Sequence, residues 1–130
     1  MEKLLATGKV KAIGVSNYSV NFLEELLPHA TVVPAVNQIE NHPSLPQQEI
    51  VDFCKSKGIL IEAYSPLGST GAPMFNAAPI VEVAEKREVT PACVLLSYHR
   101  ECLRVLIDVS KVSDFPSCSR KCSSGQVGHT

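Results

Sequence analysis

The chain reads as an α/β domain built on a parallel sheet, and three observations predict this. First, three apolar runs each stop at a cluster of hydrogen-bonding groups. Residues 9–15 run into Ser16, Asn17 and Tyr18; residues 32–36 run into Asn37 through His42; residues 59–63 run into Tyr64, Ser65, Pro66, Leu67 and Gly68. Second, amphipathic stretches separate these runs, so that strand, helix, strand, helix and strand follow in order over residues 10–63. Third, right-handed crossovers between such strands place them parallel. In parallel α/β barrels the active site is built at the carboxyl ends of the strands, which is where the polar clusters fall.

Each element has a local reason. Residues 1–6 read as the end of a helix terminated by Gly8. The first strand owes its β character to Val10, Ile13 and Val15. Ser19 is a suitable N-cap for a helix with Phe22, Leu23, Leu26 and Leu27 on one face, and Pro28 ends it. Pro34 is tolerated near the start of the second strand. Ser44 and Gln47 form a capping box, with Pro46 in the first turn. Ile50, Val51 and Cys54 then make an apolar stripe with Phe53 beside it, and Lys57-Gly58 closes the helix. After a loop over residues 69–73, Pro79 opens a helix through Lys86. Thr90-Pro91 opens another, with Val94, Leu95 and Tyr98 on its apolar side. Residues 104–107 are a fourth strand candidate. Residues 108–130 contain six serines, two cysteines and two glycines with no helical or strand period, which predicts a disordered tail.

Composition limits the function classes. The chain has 130 residues, the size of one domain, whereas a complete eight-stranded barrel takes about 250. A hydrophobic content of 45% suffices for a core, and a net charge of −1 offers no electrostatic case for nucleic acid or an anionic membrane. No apolar run is long enough for a transmembrane helix, and the start is too short and acidic for a secretory signal. Cys54 and Cys93 sit in apolar surroundings as small core residues, consistent with a reduced, cytoplasmic setting. Cys118 and Cys122, with Cys102 and His129, lack the paired short spacing of a zinc site, so no metal is expected. A glycine-rich dinucleotide fingerprint and a nucleophile elbow are both absent.

Read as residues alone, Ser16 and Asn17 serve equally as strand-end caps, Gln38 as a buried amide satisfied by backbone, and Tyr64 as a ring at a barrel rim. A resemblance weighs against that reading. Met1, nine intervening residues and then Lys11-Ala-Ile-Gly-Val-Ser-Asn-Tyr18 resembles a signature of the aldo-keto reductases. Pro34-Ala-Val-Asn-Gln-Ile-Glu-Asn-His-Pro43 and Glu62-Ala-Tyr-Ser-Pro-Leu-Gly68 are similar to that family's next two motifs, in the same order. The resemblance implies the last four βα units of a TIM (β/α)8 barrel, left unclosed. Residues 1–107 would be the C-terminal half of the barrel and residues 108–130 a divergent tail.

It also implies NADP(H) as cofactor and a small-molecule carbonyl substrate. By resemblance Ser16, Asn17 and Gln38 hold the nicotinamide carboxamide and Tyr64 stacks on its ring. Ser65, Leu67 and Ser69 belong to a loop that covers the pyrophosphate, largely through backbone N–H groups. The family's catalytic tyrosine, lysine, histidine and aspartate fall in the half of the barrel preceding Met1. Tyr18, Tyr64 and Tyr98 do not match the tyrosine's motif, so no catalytic residue is assigned and the isolated chain is expected to be inactive. Glu40, Glu62 and His42 are not assigned acid–base roles. Lys111 lacks the family's preceding proline and is not assigned to the 2′-phosphate, which predicts weak cofactor binding. The loss of pattern after His99 suggests a changed reading frame or a retained intron. Two alternatives stay open: a non-catalytic nucleotide-binding or half-barrel interaction module, and a truncated product without function. Open sheet edges predict self-association.

Overall fold

The computed structural model describes residues 1–68, 73–100 and 106–107. A short helix α1 (Glu2–Ala6) leads to β1 (Val15–Ser16), α2 (Val20–Leu26), β2 (Val36–Glu40), α3 (Gln48–Ser56) and β3 (Leu60–Tyr64). A 3₁₀ turn (Pro73–Asn76), α4 (Ala78–Lys86), α5 (Pro91–Tyr98) and β4 (Leu106–Ile107) complete the described chain. The four strands form one parallel sheet in the order β1-β2-β3-β4. It is not closed: β1 and β4 do not pair among the described residues. Ser69 and the tail over residues 108–130 lie outside the described residues.

Strand alternation divides the sheet into two faces. On one, Ile39, Ile61 and Ala63 pack with Leu23 of α2, Val51 and Cys54 of α3, and Ile59, all buried. The other carries Val36, Gln38, Glu40, Glu62 and Tyr64, half-buried, and Leu60, which is 53% exposed. The apolar face gains from removal of surface from water; the second face stays open to whatever covers it.

Expected boundaries shift for identifiable reasons. The second strand begins at Val36, where residues 32–36 were expected. Ahead of it the Glu2 carboxylate accepts hydrogen bonds from the Thr31 and Val32 backbone N–H groups at 2.8 and 2.9 Å and from the Thr31 hydroxyl at 2.6 Å. These bonds hold Thr31 and Val32 in a loop and tether α1 to it. Pro34 has no N–H to donate, so the link to the first strand starts with Ala35 N–H donating to the Ile13 carbonyl at 2.8 Å. Asn37 and Gln38 therefore lie inside β2 rather than after it. The short β1 follows, since only Val15 and Ser16 pair in register with β2.

The capping box at Ser44 and Gln47 does not form. His42 and Leu45 exchange backbone hydrogen bonds at 3.3 and 2.8 Å in a tight turn, which takes this stretch out of helical geometry. The helix starts at Gln48, and Gln47, at φ 44°, turns its side-chain amide to donate to the Glu40 carbonyl. Phe22 is not on the buried face of α2; it is 59% exposed and meets Tyr18 edge-on at 6.0 Å. Ser19 and Thr90 cap α2 and α5 as expected, accepting from Phe22 N–H at 3.4 Å and Cys93 N–H at 3.3 Å. Cys54 is a buried free thiol, whereas Cys93, also buried, is disulfide-bonded, which departs from the expected reduced thiol. Burial pushes the Cys54 thiol up, and a hydrogen bond from Asn37 opposes this.

Two features of the packing can be tested. A Cβ on Gly14 would lie 2.8 Å from the Val36 carbonyl oxygen, so glycine is what allows β1 and β2 to approach. Gly14→Ala is expected to destabilise the fold by about 1–3 kcal/mol, the usual cost of overpacking against backbone. Denaturant unfolding with an unchanged midpoint would remove this account. The second feature is His99, fully buried after α5, with Nε2 3.3 Å from the Pro66 carbonyl. Burial lowers its pKa, the Pro66 carbonyl opposes the shift, and nearby His42 lowers it further. A depressed imidazole pKa means the unfolded chain binds the extra proton first. The stabilisation is thus present above the unfolded value of about 6.5 and is lost as pH falls through the lower folded value. Thermal unfolding between pH 7.5 and pH 5 (about the range in which histidine charges) should show stability falling, with a shallower slope in His99→Gln. Equal slopes would show that His99 does not contribute.

Candidate active site

Polar groups converge where β1 and β3 end. Asn17, just past β1, has φ 58° and Ser65, just past β3, has φ 49°, both left-handed conformations that non-glycine residues seldom adopt. The turn they make stops each strand abruptly. Asn17 N–H donates to the Gln38 carbonyl at 2.8 Å, and Ser16 Oγ donates to the same oxygen at 3.1 Å. The Asn17 side-chain amide donates to Ser16 Oγ at 3.3 Å, and the Tyr64 hydroxyl donates to Asn17 Oδ1 at 3.2 Å. One directed chain of donors thus runs from Tyr64 through Asn17 and Ser16 to the backbone of β2.

This chain does not exhaust its members. The Asn17 amide keeps one N–H, its Oδ1 keeps one lone pair, and Ser16 Oγ can accept once more. Gln38 pairs in register with both Ser16 and Glu62, and paired residues of a parallel sheet share a face, so its half-buried carboxamide lies beside Ser16. The cluster therefore offers donors and acceptors in the combination that a planar carboxamide needs, next to the half-exposed ring of Tyr64.

After β3, Gly68 N–H donates to the Ser65 carbonyl at 2.8 Å and Gly68 has φ 91°, closing a tight loop over residues 65–68. His99 holds this loop through Pro66. Leu67 is half-buried within it; Ser69, expected to continue the loop, lies outside the described residues. The structure brings Ser16, Asn17, Gln38 and Tyr64 together and places Ser65 and Leu67 next in the chain.

Other candidates fall elsewhere. Tyr18 packs edge-on against Phe22. Glu40 Oε1 and His42 Nε2 are 3.5 Å apart beyond the end of β2. Among the described residues no group of histidine, cysteine and carboxylate side chains could hold a metal ion, and no helix is long and apolar enough to cross a membrane. A groove of about 640 Å³ lies between α1, β1 and α2, lined by residues such as Ile13, Tyr18 and Pro34. A second groove, of about 460 Å³, borders Ser16 and Asn17 but not Gln38 or Tyr64. Neither groove is the polar cluster, which sits on the open strand-end face.

Sequence reasoning missed Asn37. It is fully buried on the helix-facing side of β2, with Nδ2 donating to the Tyr18 carbonyl at 2.9 Å and Oδ1 accepting from Tyr18 N–H at 3.3 Å. Nδ2 also lies 3.7 Å from Cys54 Sγ. The signal was available: an asparagine, a poor strand former, stands two residues before Ile39 on the face that must be apolar.

Comparison with known proteins bears on the family and the fold. The profile described as the aldo/keto reductase family matches residues 1–115. A D-galacturonate reductase from Hypocrea jecorina is 74% identical over 99 residues, covering 76% of this chain and 32% of that protein. An NADP(+) glycerol 2-dehydrogenase from Saccharomyces cerevisiae is 48% identical over 123 residues, covering 93% of this chain and 39% of that protein. The solved aldose reductase from Giardia lamblia superposes with a TM-score of 0.79 at 37% identity, over 82% of this chain and 37% of its own. The chain thus spans 32% to 39% of the length of these relatives. The solved relatives are TIM barrels, and this chain carries an unclosed parallel α/β sheet. With a profile match over most of its length, the chain belongs to the aldo/keto reductase family.

Proposed function

We propose that this chain supplies the nicotinamide-binding floor of an NADP(H)-dependent reductase acting on a small aldehyde or ketone. The observation that carries the reading is the donor chain from Tyr64 through Asn17 and Ser16 to β2, with Gln38 beside it. Bound NADPH supplies the hydride that reduces the carbonyl carbon. The residues here hold the carboxamide end: Asn17 donates and accepts, Ser16 accepts, and Gln38 offers both functions. Tyr64 covers the ring. Backbone N–H groups of the loop after β3, with Ser65, Leu67 and Ser69, approach the pyrophosphate.

Residues 1–107 correspond, in this reading, to the later βα units of the barrel, with residues 108–130 outside it. None of the 130 residues is assigned the proton-donor role, so this chain by itself binds cofactor without turning over substrate. General acid catalysis contributes roughly 10²–10⁴-fold, and losing it with substrate orientation leaves little rate. The high identity to a D-galacturonate reductase makes a uronate aldehyde the first substrate to test in a complete barrel.

Titration with NADPH, followed by cofactor fluorescence, should give weak saturable binding with little preference over NADH. Tyr64→Ala should weaken it by about 1–3 kcal/mol, the scale of aromatic stacking on a heterocyclic base. Tight binding unaffected by Tyr64→Ala would place the cofactor elsewhere. Turnover of an aldehyde by this chain alone would overturn the assignment of no proton donor.

The open sheet also supports self-association of these 130 residues. Unpaired strand edges and the exposed Leu60 favour pairing with a second copy. Light scattering at micromolar concentration (about the range where such association is seen) should report dimers or larger species. A compact monomer would count against it.

A further inference from the structure

We infer that Asn37 is a positioning residue for the nicotinamide site: its buried carboxamide grips the backbone of Tyr18 at two points and thereby fixes the orientation of Asn17. The inference rests on the proposed cofactor reading for its functional consequence, but its structural half stands alone. Two successive residues of β2 hold the two residues that follow β1. The Gln38 carbonyl takes Asn17 N–H at 2.8 Å, while the Asn37 side chain takes both Tyr18 N–H at 3.3 Å and the Tyr18 carbonyl at 2.9 Å. The backbone between these anchors is where Asn17 has φ 58°. Such a conformation persists only when its surroundings over-determine it. Asn37 is fully buried, on the opposite side of the sheet from Gln38, so it cannot touch a ligand on the strand-end face. Its effect on a cofactor has to pass through Asn17.

Asparagine suits this role better than its neighbours in size. A leucine fills similar space but leaves both Tyr18 backbone groups unpaired. An aspartate can reproduce both bonds only when protonated, with its O–H donating to the Tyr18 carbonyl and its other oxygen accepting from Tyr18 N–H. A carboxyl buried there has a raised pKa, so it keeps the grip at low pH and loses it on ionisation, when a carboxylate faces a carbonyl oxygen.

The experiment uses NADP(+) with the full chain and reads two signals. One is saturation transfer from protein to the nicotinamide protons relative to the adenine protons. The other is hydrogen exchange at Tyr18 N–H, with Ile61 N–H as a reference in the core. In Asn37→Leu both bonds to Tyr18 go; the nicotinamide-to-adenine ratio should fall about tenfold, the effect of misaligning one hydrogen bond from Asn17 to the carboxamide, and Tyr18 exchange should rise while Ile61 stays protected. Asn37→Asp should match the original chain at low pH and approach Asn37→Leu at high pH, a profile that a purely structural role would not produce. Asn37→Ser, which removes the two-point grip by shortening the side chain instead of adding bulk, takes its place if the leucine variant fails to fold. Unchanged Tyr18 exchange in the folded variants overturns the inference whatever the cofactor does. If exchange rises as expected but the original chain transfers no saturation to nicotinamide, the cofactor reading falls and the two-point grip survives. If exchange rises and the nicotinamide ratio is unchanged, Asn37 does not act through Asn17.

Discussion

The register of β2 between its two neighbours is the constraint on which the rest depends. Val15, Asn37 and Ile61 are aligned across the sheet, as are Ser16, Gln38 and Glu62. The first row faces the helices and the second the open side. Because side chains alternate, a slip of one residue would exchange these rows. Ile39 and Ala63, both buried, would meet water, and Gln38 and Glu62 would be forced against Leu23 and Cys54. The burial of Ile39 and Ala63 therefore sets the register, and the register brings Gln38 beside Ser16. Core packing and site geometry are two results of the same pairing.

The strand ends carry the remaining tension. Left-handed φ at Asn17 and Ser65 costs on the order of 1–3 kcal/mol each. Each is offset locally. Asn17 is held from β2 by Gln38 and, through Tyr18, by Asn37; Ser65 sits in a loop closed by Gly68, with Pro66 fastened to His99. Both fastenings involve a buried polar side chain whose value depends on hydrogen bonding. The Asn37 amide uses both its functions, whereas His99 Nδ1 has no hydrogen-bond partner among the described residues. The loop after β3 is thus the less fully secured of the two.

Much of this was legible in the sequence, and the failures have specific causes. The βα order was visible because alternation and amphipathic spacing are local properties. Ser19, Thr90, Gly8 and Gly58 marked element ends because capping and left-handed turns depend on a few adjacent residues. The start of β2 was misplaced because the bonds that hold Thr31 and Val32 out of the sheet come from Glu2, 29 and 30 positions away. The start of α3 was misplaced because a His42–Leu45 turn competed with a well-formed local cap. Ser16, Asn17, Gln38 and Tyr64 are grouped by resemblance alone, since no spacing rule says that Tyr64 reaches Asn17 across 47 positions. Asn37 escaped because its partner is backbone rather than a side chain.

The strand order has a further consequence for how the chain acquires its shape. Each strand lies beside the one made just before it, and the contact from Ser16 to Gln38 spans 22 positions. Each pairing therefore needs only a modest loop closure, although parallel strands still cannot pair until the crossover between them has been made. A nascent chain can pair β1 with β2 early, but the core around Leu23 and Ile39 closes only with Val51 and Cys54 of α3 and Ile61 and Ala63 of β3. The donor chain at the strand ends is completed only when Tyr64 arrives. Core and strand-end cluster are thus completed by the same strand, and an interrupted chain ending before β3 would lack both the Ile61 and Ala63 side of the core and the hydroxyl partner of Asn17.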